Sequence, residues 1–233
     1  MRARAYAKPD GANDVHPVVR AIILSLVAFI SLPLNGCRAP RESASTEATA
    51  PSNSAVGADP GGVGRGTTLQ AKPGHALAAF AAGCFWGVED AFRHVRGVTA
   101  TAVGYTGGHT EDPSYETVCS HSTGHAEAVL VEFDPKVVSY DKLCDIFFKM
   151  HDPTQLDQQG PDVGDQYRSE IFALDATQLT AARASLTRAA AGAKVVTKIE
   201  PLTKFWKAEE YHQQYAEKTG THGCPISLPP EAT

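Results

Sequence analysis

Apolar and polar positions divide the chain into three parts. Residues 21–36 form an uncharged, largely apolar run that follows four basic residues. Residues 38–74 are dominated by Ala, Ser, Thr, Pro and Gly and contain no Phe, Tyr or Trp, so this stretch cannot bury enough apolar surface to offset the entropy of ordering. Periodic apolar patterns begin only at Leu77. We therefore predict a leader at residues 1–37, a flexible tether at 38–74 and one folded domain at 75–233.

The part of the chain after residue 75 alternates strand and helix patterns. The strand patterns lie at residues 77–82, 98–105, 126–133 and 169–174, and the helix patterns lie at 85–95, 139–150 and 176–191. In the second helix pattern, Tyr140, Leu143, Cys144 and Phe147 fall on one apolar stripe. Residues 151–166 lack periodicity and predict an irregular loop. The order β-α-β-β-α-β predicts an α+β, ferredoxin-like split βαβ two-layer sandwich with an irregular C-terminal tail.

Charge and cysteine content exclude several classes of protein. The chain has 26 acidic residues against 21 Lys and Arg, a formal net charge of −5, so no overall basic field would attract nucleic acid. Five cysteines in 233 residues are too few for a disulfide-stapled miniprotein, and none forms a C-x-x-C motif. We therefore expect neither a nucleic-acid partner nor a structural zinc site.

The leader pattern at residues 1–37 indicates export. Its apolar stretch at 21–34 is shorter than the roughly 20 residues that a transmembrane helix needs, which favours a cleaved signal over a membrane anchor. The ending Leu34-Asn35-Gly36-Cys37 resembles a bacterial lipoprotein box, in which the cysteine carries lipid. Two alternatives stay open, an ordinary signal peptide and a lipid anchor through Cys37. Both predict a location in the bacterial periplasm or cell envelope.

Cys84 lies where a strand pattern ends and a helix pattern begins. A helix that begins at Phe85 points its unpaired N–H groups and its positive dipole end at the sulfur, which favours the reactive thiolate. The neighbouring rings of Phe85 and Trp86 can form an apolar pocket beside a nucleophile. The alternative is an inert buried cysteine next to two rings that pack in the core.

Glu127 is a candidate proton donor near the start of a strand pattern. Alternation places it on one face with Val129, Val131 and Phe133, and places Glu132 on the other face. If the Val and Phe face is the core face, desolvation raises the pKa of Glu127 and keeps part of the carboxyl protonated near neutral pH, as a general acid requires. The alternative is a solvated side chain at the strand end.

Two histidines, His121 and His125, lie four residues apart. The Ser-Thr-Gly between them is not a helical pattern and no third ligand follows, so we expect no metal site. His125 could instead act as a base for Cys84 in a cysteine hydrolase or acyltransferase, with Asp162 orienting the imidazole. This hydrolase stays open as the alternative function.

Short motifs between about Leu77 and Cys224 resemble those of the A-type peptide methionine sulfoxide reductases. The matching blocks are GCFWGVE at residues 83–89, GYTGG at 104–108, YETVC at 115–119, TGHAEA at 123–128, HDPT at 151–154, DQYRS at 165–169 and YHQQY at 211–215. The resemblance covers nearly all of the folded domain. It implies an enzyme that reduces methionine S-sulfoxide, either free or within proteins.

The resemblance implies a role for each candidate side chain. Cys84 attacks the sulfoxide sulfur while Glu127 protonates the oxygen, because hydroxide is a poor leaving group. Phe85 and Trp86 hold the methyl group of the substrate. Tyr115 and Tyr167 match hydroxyls that hydrogen-bond the sulfoxide oxygen. Asp162 matches a carboxylate of the surrounding polar network.

The resemblance also implies how the enzyme is regenerated. Attack leaves a sulfenic acid on Cys84, and Cys224, which matches the resolving cysteine of the family, condenses it to a disulfide. Ser227 replaces the further relay cysteine of some members, and Cys119 is the alternative resolver. A thioredoxin-like dithiol then reduces the disulfide, so no cofactor is needed. The implied partners are this reductant and oxidised proteins, peptides or free methionine sulfoxide, and we expect a monomer.

Overall fold

A six-stranded sheet forms the centre of the computed structural model, which describes residues 56–221, 226 and 228–232. The strands are β1 Ala76–Ala82, β2 Val98–Thr106, β3 Ala126–Phe133, β4 Gln158–Gln159, β5 Asp162–Val163, β6 Ser169–Ala173, β7 Lys198–Pro201 and β8 Trp206–Lys207. The helices are α1 Phe85–Arg93, α2 Tyr115–Cys119, α3 Tyr140–Met150, α4 Ala176–Ala189 and α5 Tyr215–Thr219. The sheet order is β7-β6-β1-β3-β2-β8, and β4 pairs with β5 in a separate hairpin.

The four longest strands are antiparallel neighbours. β1 pairs with β3 on one side and with β6 on the other, and β3 also pairs with β2. α1 connects β1 to β2, and α3 follows β3 along the chain. The α+β class and the predicted order of these main elements are confirmed. The strand at 126–133 has the predicted bounds.

The sheet buries different side chains on its two faces. Phe80, Val129 and Val131 belong to a large core cluster that also holds the apolar residues of α1 and α3. Ala128 and Leu130 belong to a second cluster on the opposite face. This alternation follows from the two-residue period of a strand, in which successive side chains point to opposite faces.

The two glutamates of β3 follow the same alternation. Glu127 lies on the face of the large core cluster and is 2% exposed. Glu132 lies on the other face, where its carboxylate accepts hydrogen bonds from the backbone N–H groups of Gly61 at 2.9 Å and Lys72 at 3.2 Å. The predicted assignment of the two acids to opposite faces is confirmed.

Side-chain caps explain where the two long helices begin. The Ser139 hydroxyl accepts the backbone N–H of Lys142 at 3.2 Å, directly before α3. The Asp175 carboxylate accepts the backbone N–H of Gln178 at 2.8 Å, directly before α4. Such caps satisfy N–H groups that have no partner inside the helix. Both helices therefore begin within one residue of the predicted positions.

The C-terminal part of the domain is more regular than the sequence predicts. β7 extends the sheet by parallel pairing with β6, and β8 pairs antiparallel with β2 at the opposite edge. The prediction of an irregular tail is wrong for residues 198–219, which contain these strands and α5. These elements are only two to five residues long. Such short segments carry too few positions to define a period, and their partners lie far away in the sequence.

Residues 56–74 pack against the sheet instead of forming a tether. Val63 is 8% exposed within the second core cluster. The Arg65 guanidinium donates to Asp112 Oδ1 at 2.7 Å and to the carbonyl of Lys207 at 2.8 Å. The flexible tether predicted for 38–74 is therefore wrong for this stretch, because a few long-range contacts order a segment that has little apolar content of its own. The folded domain begins before residue 75.

Several predicted features lie outside the described residues. These are the leader at 1–37 with Cys37, the tether up to residue 55, Cys224 and Ser227. Within the described part of the chain, no helix has the length and apolar character needed to cross a bilayer.

Candidate active site

Cys84 lies at the junction between β1 and α1. Its backbone has φ −56° and ψ 119°, and its carbonyl accepts the N–H of Val88 at 3.3 Å as the helix begins. Gly83 before it has φ +99°, and a Cβ at that position would lie 2.7 Å from Cβ of Gln159. Glycine is thus required both by the backbone angle and by the close approach of the β4–β5 hairpin. Cys84 thus occupies the position directly before α1, where the positive end of the helix dipole lies.

The carboxyl of Glu127 lies beside this helix start. Its Oε2 accepts the backbone N–H of Phe85, the residue directly after Cys84, at 3.0 Å. Burial raises the pKa of Glu127 to about 8; the N–H of Phe85 lowers it in part, and the negative charge of Asp162 raises it further. The acid therefore stays largely protonated at neutral pH, which a proton donor needs.

Two tyrosine hydroxyls belong to the same group of side chains. Tyr115 and Tyr167 are 9% and 6% exposed. Burial raises the pKa of both phenols above 10, and the negative charges of Glu127 and Cys84 raise it further. Both hydroxyls therefore lie within electrostatic range of the acid and the thiol. Both phenols remain protonated hydrogen-bond donors across the physiological pH range.

Loop and cap geometry hold these two tyrosines in place. Tyr115 opens α2 directly after Ser114, which forms a reciprocal capping box with Thr117. The N–H of Tyr115 also donates to Glu209 Oε1 at 2.9 Å. Tyr167 ends a 3-10 helix at Asp165–Tyr167, immediately before β6. The irregular loop predicted for residues 151–166 contains the β4–β5 hairpin, which carries Asp162, and the start of this 3-10 helix.

The aromatic rings after Cys84 have different surroundings. Phe85 is 1% exposed and packs against Tyr105 and His212, with ring centroids 5.9 Å and 5.0 Å away. Trp86 is partly exposed, and its ring stacks on Tyr215 with centroids 3.9 Å apart and planes 10° apart. Phe85 can therefore form only the floor of an apolar pocket, whereas Trp86 and Tyr215 are available as its walls.

Three supporting residues were not identified as site residues from the sequence. Trp86 donates its indole N–H to Nδ1 of His212 at 3.1 Å, and the Tyr115 ring packs at a tilt against the same imidazole with centroids 4.6 Å apart. The other two supporting residues are Tyr215, which stacks on Trp86, and Glu209, which accepts the N–H of Tyr115. The motif YHQQY contains His212 and Tyr215, but no local pattern shows that they contact residues more than 90 positions earlier. Among the described buried side-chain atoms, Nε2 of His212 is one of three without a hydrogen-bond partner.

The described cysteines are in three different states. Cys84 carries a thiol at the helix start. Cys144 is a thiol fully buried in α3, and burial raises its pKa to about 12, so it is unreactive near neutral pH. Cys119 in α2 is disulfide-bonded. Cys224, the predicted resolver, lies outside the described residues.

The two histidines considered as ligands or bases have structural roles. His125 Nδ1 accepts the N–H of Gly108 at 3.1 Å, and its Nε2 contacts the carbonyl of Thr110 at 2.8 Å. Both nitrogens are occupied by backbone groups, so His125 cannot take a proton from Cys84. The predicted alternative, a hydrolase with His125 as base, is therefore wrong. His121 instead contacts Gln166 at 2.9 Å, and within the described residues no group of three His, Cys, Asp or Glu could hold a metal ion.

These groups define a class of enzyme. A thiol at a helix N-terminus, a protonated buried carboxyl and two phenol donors suit attack of sulfur on an electrophile whose oxygen must be protonated to leave. This is the chemistry of a thiol-dependent reductase of an oxidised substrate.

Comparison with known proteins identifies the family. Residues 76–233 match the family model described as peptide methionine sulfoxide reductase. The peptide methionine sulfoxide reductase MsrA of Methanosarcina acetivorans is 58% identical over 160 residues, which cover 66% of this chain and 85% of that protein. The peptide methionine sulfoxide reductase of Solanum lycopersicum is 51% identical over 159 residues, covering 67% and 81%.

Solved structures agree with this assignment. The reduced form of Mxr1 from Saccharomyces cerevisiae has a TM-score of 0.65 at 36% identity, covering 70% of this chain and 97% of that one. Methionine sulfoxide reductase A of Corynebacterium diphtheriae has a TM-score of 0.63 at 35% identity, covering 73% and 90%. The chain belongs to the peptide methionine sulfoxide reductase family, A type, and is an enzyme that reduces methionine sulfoxide.

Proposed function

We propose that the enzyme reduces methionine S-sulfoxide, free or in proteins, with Cys84 as nucleophile and Glu127 as proton donor. The observation that carries these roles is the 3.0 Å hydrogen bond from the N–H of Phe85 to Glu127, which ties the buried acid to the residue next to the thiol. Tyr115 and Tyr167 hydrogen-bond the sulfoxide oxygen, with Asp162 in the polar network behind it. Trp86, above the buried ring of Phe85, holds the methyl group.

The reductase step balances without an external oxidant or cofactor. The thiolate attacks the sulfoxide sulfur as Glu127 protonates the oxygen, and collapse transfers the hydroxyl to Cys84. The products are methionine and a sulfenic acid, so the substrate sulfur gains the two electrons that Cys84 loses. Glu127 recovers its proton from solvent.

Regeneration uses a second thiol and an external dithiol. Cys224 attacks the sulfenic acid, releases water and forms a disulfide with Cys84, which a thioredoxin-like reductant opens by thiol–disulfide exchange. Cys119 stays the alternative resolver, although its disulfide in this structure does not involve Cys84, which carries a thiol. The cycle is complete within one chain, and we propose that the enzyme is a monomer.

A matched pair of cysteine variants tests the nucleophile. With one equivalent of a dabsylated methionine S-sulfoxide and no reductant, the parent enzyme should form one methionine per chain. Cys84→Ser should form none, and Cys144→Ser, which removes a buried thiol in α3, should still form one. Methionine formation by Cys84→Ser would exclude the proposed nucleophile, and reduction of the R-sulfoxide alone would exclude the S-specificity.

Two further variants distinguish the resolvers. Cys224→Ser should retain one turnover and accumulate sulfenic acid, detected by dimedone adduct mass, while losing thioredoxin-driven cycling. Cys119→Ser should keep that cycling. The opposite pattern would assign resolution to Cys119 and exclude Cys224.

We also propose that the protein is exported to the periplasm or cell envelope. Either form of the leader, an ordinary signal peptide or a lipid anchor at Cys37, would direct this export. Support comes from the basic start, the apolar run at 21–34 and the lipoprotein-like ending at Cys37. The intact mass of the chain purified from envelope fractions of its host tests this. A chain that begins at a lipid-modified Cys37 indicates an anchor, an unmodified shortened chain indicates an ordinary signal, and an uncleaved chain in the cytoplasm refutes export.

We assign the fold to the ferredoxin-like split βαβ sandwiches. Support comes from the antiparallel order β6-β1-β3-β2, with α1 and α3 joining the same core cluster. The added edge strands β7 and β8 extend this unit on both sides.

A further inference from the structure

Glu89 is a buried acid in the helix that carries the proposed nucleophile's neighbours, and the reaction described above does not use it. It lies in α1, three residues after Trp86, and is 1% exposed. Its Oε1 accepts the hydroxyl of Thr101 at 2.9 Å, and that hydroxyl itself accepts Nη1 of Arg93 at 3.0 Å. A fully buried carboxylate is costly unless hydrogen bonds compensate it, so these contacts identify a built polar cluster.

The main partner of Glu89 is Gln214. The backbone N–H of Gln214 donates to Oε2 of Glu89 at 2.8 Å, and the side-chain Nε2 of Gln214 donates to Oε1 at 2.9 Å. Gln214 has φ +48° and ψ 43°, the left-handed conformation that a residue with a side chain rarely adopts. The two bonds to one carboxylate therefore hold a strained backbone turn that is 125 positions away in the sequence.

This turn sets the direction of Tyr215, the next residue. Tyr215 begins α5, and its ring stacks on Trp86 at 3.9 Å with planes 10° apart. Residues three apart on a helix project from neighbouring positions of one face. The Glu89 carboxylate thus binds the backbone N–H of Gln214, and the indole of Trp86 stacks on the ring of the next residue, Tyr215.

We propose that Glu89 is a positioning residue for substrate binding: it fixes the left-handed turn at Gln214 so that Tyr215 forms a wall of the methyl-binding pocket together with Trp86. The proposal rests on the proposed role of Trp86 in holding the substrate methyl group. Glu89 does not touch the substrate and acts through Tyr215 alone.

Glu89→Gln is the informative variant because it keeps the shape of the side chain. The groups that contact the carboxylate are all donors, so the new NH2 group must face at least one of them. Glu132→Gln is the matched control. Glu132 is equally buried and also accepts only from donors, Gly61, Lys72 and Thr99, but it lies on the opposite face of the sheet.

The first measurement is steady-state reduction of N-acetylmethionine sulfoxide with saturating dithiothreitol. Glu89→Gln should raise KM about fivefold, the effect expected from loss of one aromatic contact, with kcat changed less than twofold. Glu132→Gln should lower the melting temperature but leave KM unchanged. An equal rise of KM in both variants, or no rise in Glu89→Gln, would overturn the proposal.

A double-mutant cycle tests whether Glu89 acts through Tyr215. Tyr215→Ala should raise KM by a similar factor, and adding Glu89→Gln to Tyr215→Ala should raise it no further. Multiplicative effects would show that Glu89 acts independently of this ring and would refute the positioning role.

A readout without turnover separates this proposal from the proposed function. The chain has two tryptophans, so in a Trp206→Phe background the fluorescence reports Trp86 alone. Glu89→Gln should increase quenching of that emission by acrylamide, and Cys84→Ser should leave the quenching unchanged. Unchanged quenching in Glu89→Gln would refute the positioning role, even if the enzyme is active. Full activity of Cys84→Ser, with the quenching changed in Glu89→Gln, would refute only the proposed chemistry.

Discussion

The carboxyl of Glu127 accepts the backbone N–H of Phe85 at 3.0 Å, so the acid in β3 is attached to the first residue of the helix that follows Cys84. This one hydrogen bond holds the acid next to the residue that follows the thiol, although Phe85 and Glu127 lie 42 positions apart in the sequence. Burial outweighs the favourable N–H and raises the pKa of the carboxyl to about 8. The acid thus keeps its proton near neutral pH.

The raised pKa of Glu127 predicts the pH dependence of the reductase step. The single-turnover rate of methionine formation should fall as pH rises through about 8, because the ionised carboxylate cannot donate a proton. Glu127→Gln should lower the rate about 100-fold or more near neutral pH and remove this alkaline decline. Stopped-flow measurement between pH 6 and about 10 checks both effects. A decline that persists in Glu127→Gln would contradict the assignment.

The same shift predicts how stability changes with pH. The unfolded carboxyl ionises near its ordinary pKa of 4.5, and the folded one only near 8, so the stabilising contribution of the protonated acid is complete below 4.5 and is lost as pH rises through 8. Within this window the parent should therefore lose stability relative to Glu127→Gln. The difference between their free energies of unfolding should change by up to about 1.4 kcal/mol per pH unit. Urea titrations at a series of pH values measure the difference. Parallel stability curves would disprove the burial effect.

Two glycines near the active site predict different costs of substitution. Gly83→Ala places a Cβ 2.7 Å from Cβ of Gln159 at φ +99° and should displace the hairpin that carries Asp162. We expect a loss of about 2 kcal/mol or more in stability and a slower single turnover. Gly160→Ala in the same hairpin has φ +58° and no atom within 4 Å, so it should cost about 1 kcal/mol and leave the rate unchanged. Equal losses in the two variants would mean that the contact with Gln159 is unimportant.

Two buried imidazoles should make the folded protein less stable in acid. Burial lowers the pKa of His151 and of His212 from 6.5 to about 4. The unfolded chain binds protons below 6.5 whereas the folded chain does not until about 4, so stability should be lost as pH falls through this interval. His151→Gln removes the ionisable ring and keeps one amide donor and one acceptor near the carbonyl of Phe147 and the hydroxyl of Ser169, which His151 contacts at 2.7 Å each. This variant should show a shallower acid slope in urea titrations, and an unaltered slope would count against the prediction.

The packing of residues 56–74 predicts the minimal folded chain. The reference is a chain that begins at residue 56, the first residue that the structure describes. A chain that begins at residue 75 should lose about 2 kcal/mol from the burial of Val63 alone, together with the bonds from Gly61 and Lys72 to Glu132. Calorimetry of the two chains tests this, and equal melting temperatures would restore the boundary at residue 75.

Much of the fold follows from patterns that need only local information. The period of two in β3 places Glu127 and Glu132 on opposite faces, and the cap at Ser139 locates the start of α3. The short strands β7 and β8 could not be predicted, because they exist only through pairing with β6 and β2. Arg65 orders its low-complexity segment through Asp112 and Lys207, which lie 47 and 142 positions away in the sequence.

For the active site, the sequence by itself determined the thiol, its helix start, the face of the acid and the family. These depend on neighbouring residues and on short motifs. Only the tertiary structure decided that backbone groups occupy both nitrogens of His125, that Tyr215 stacks on Trp86, and that Glu89 holds Gln214. The physical reason is that such contacts join segments as far apart in the sequence as Trp86 and Tyr215, and their geometry is set by how the sheet and its edge segments pack.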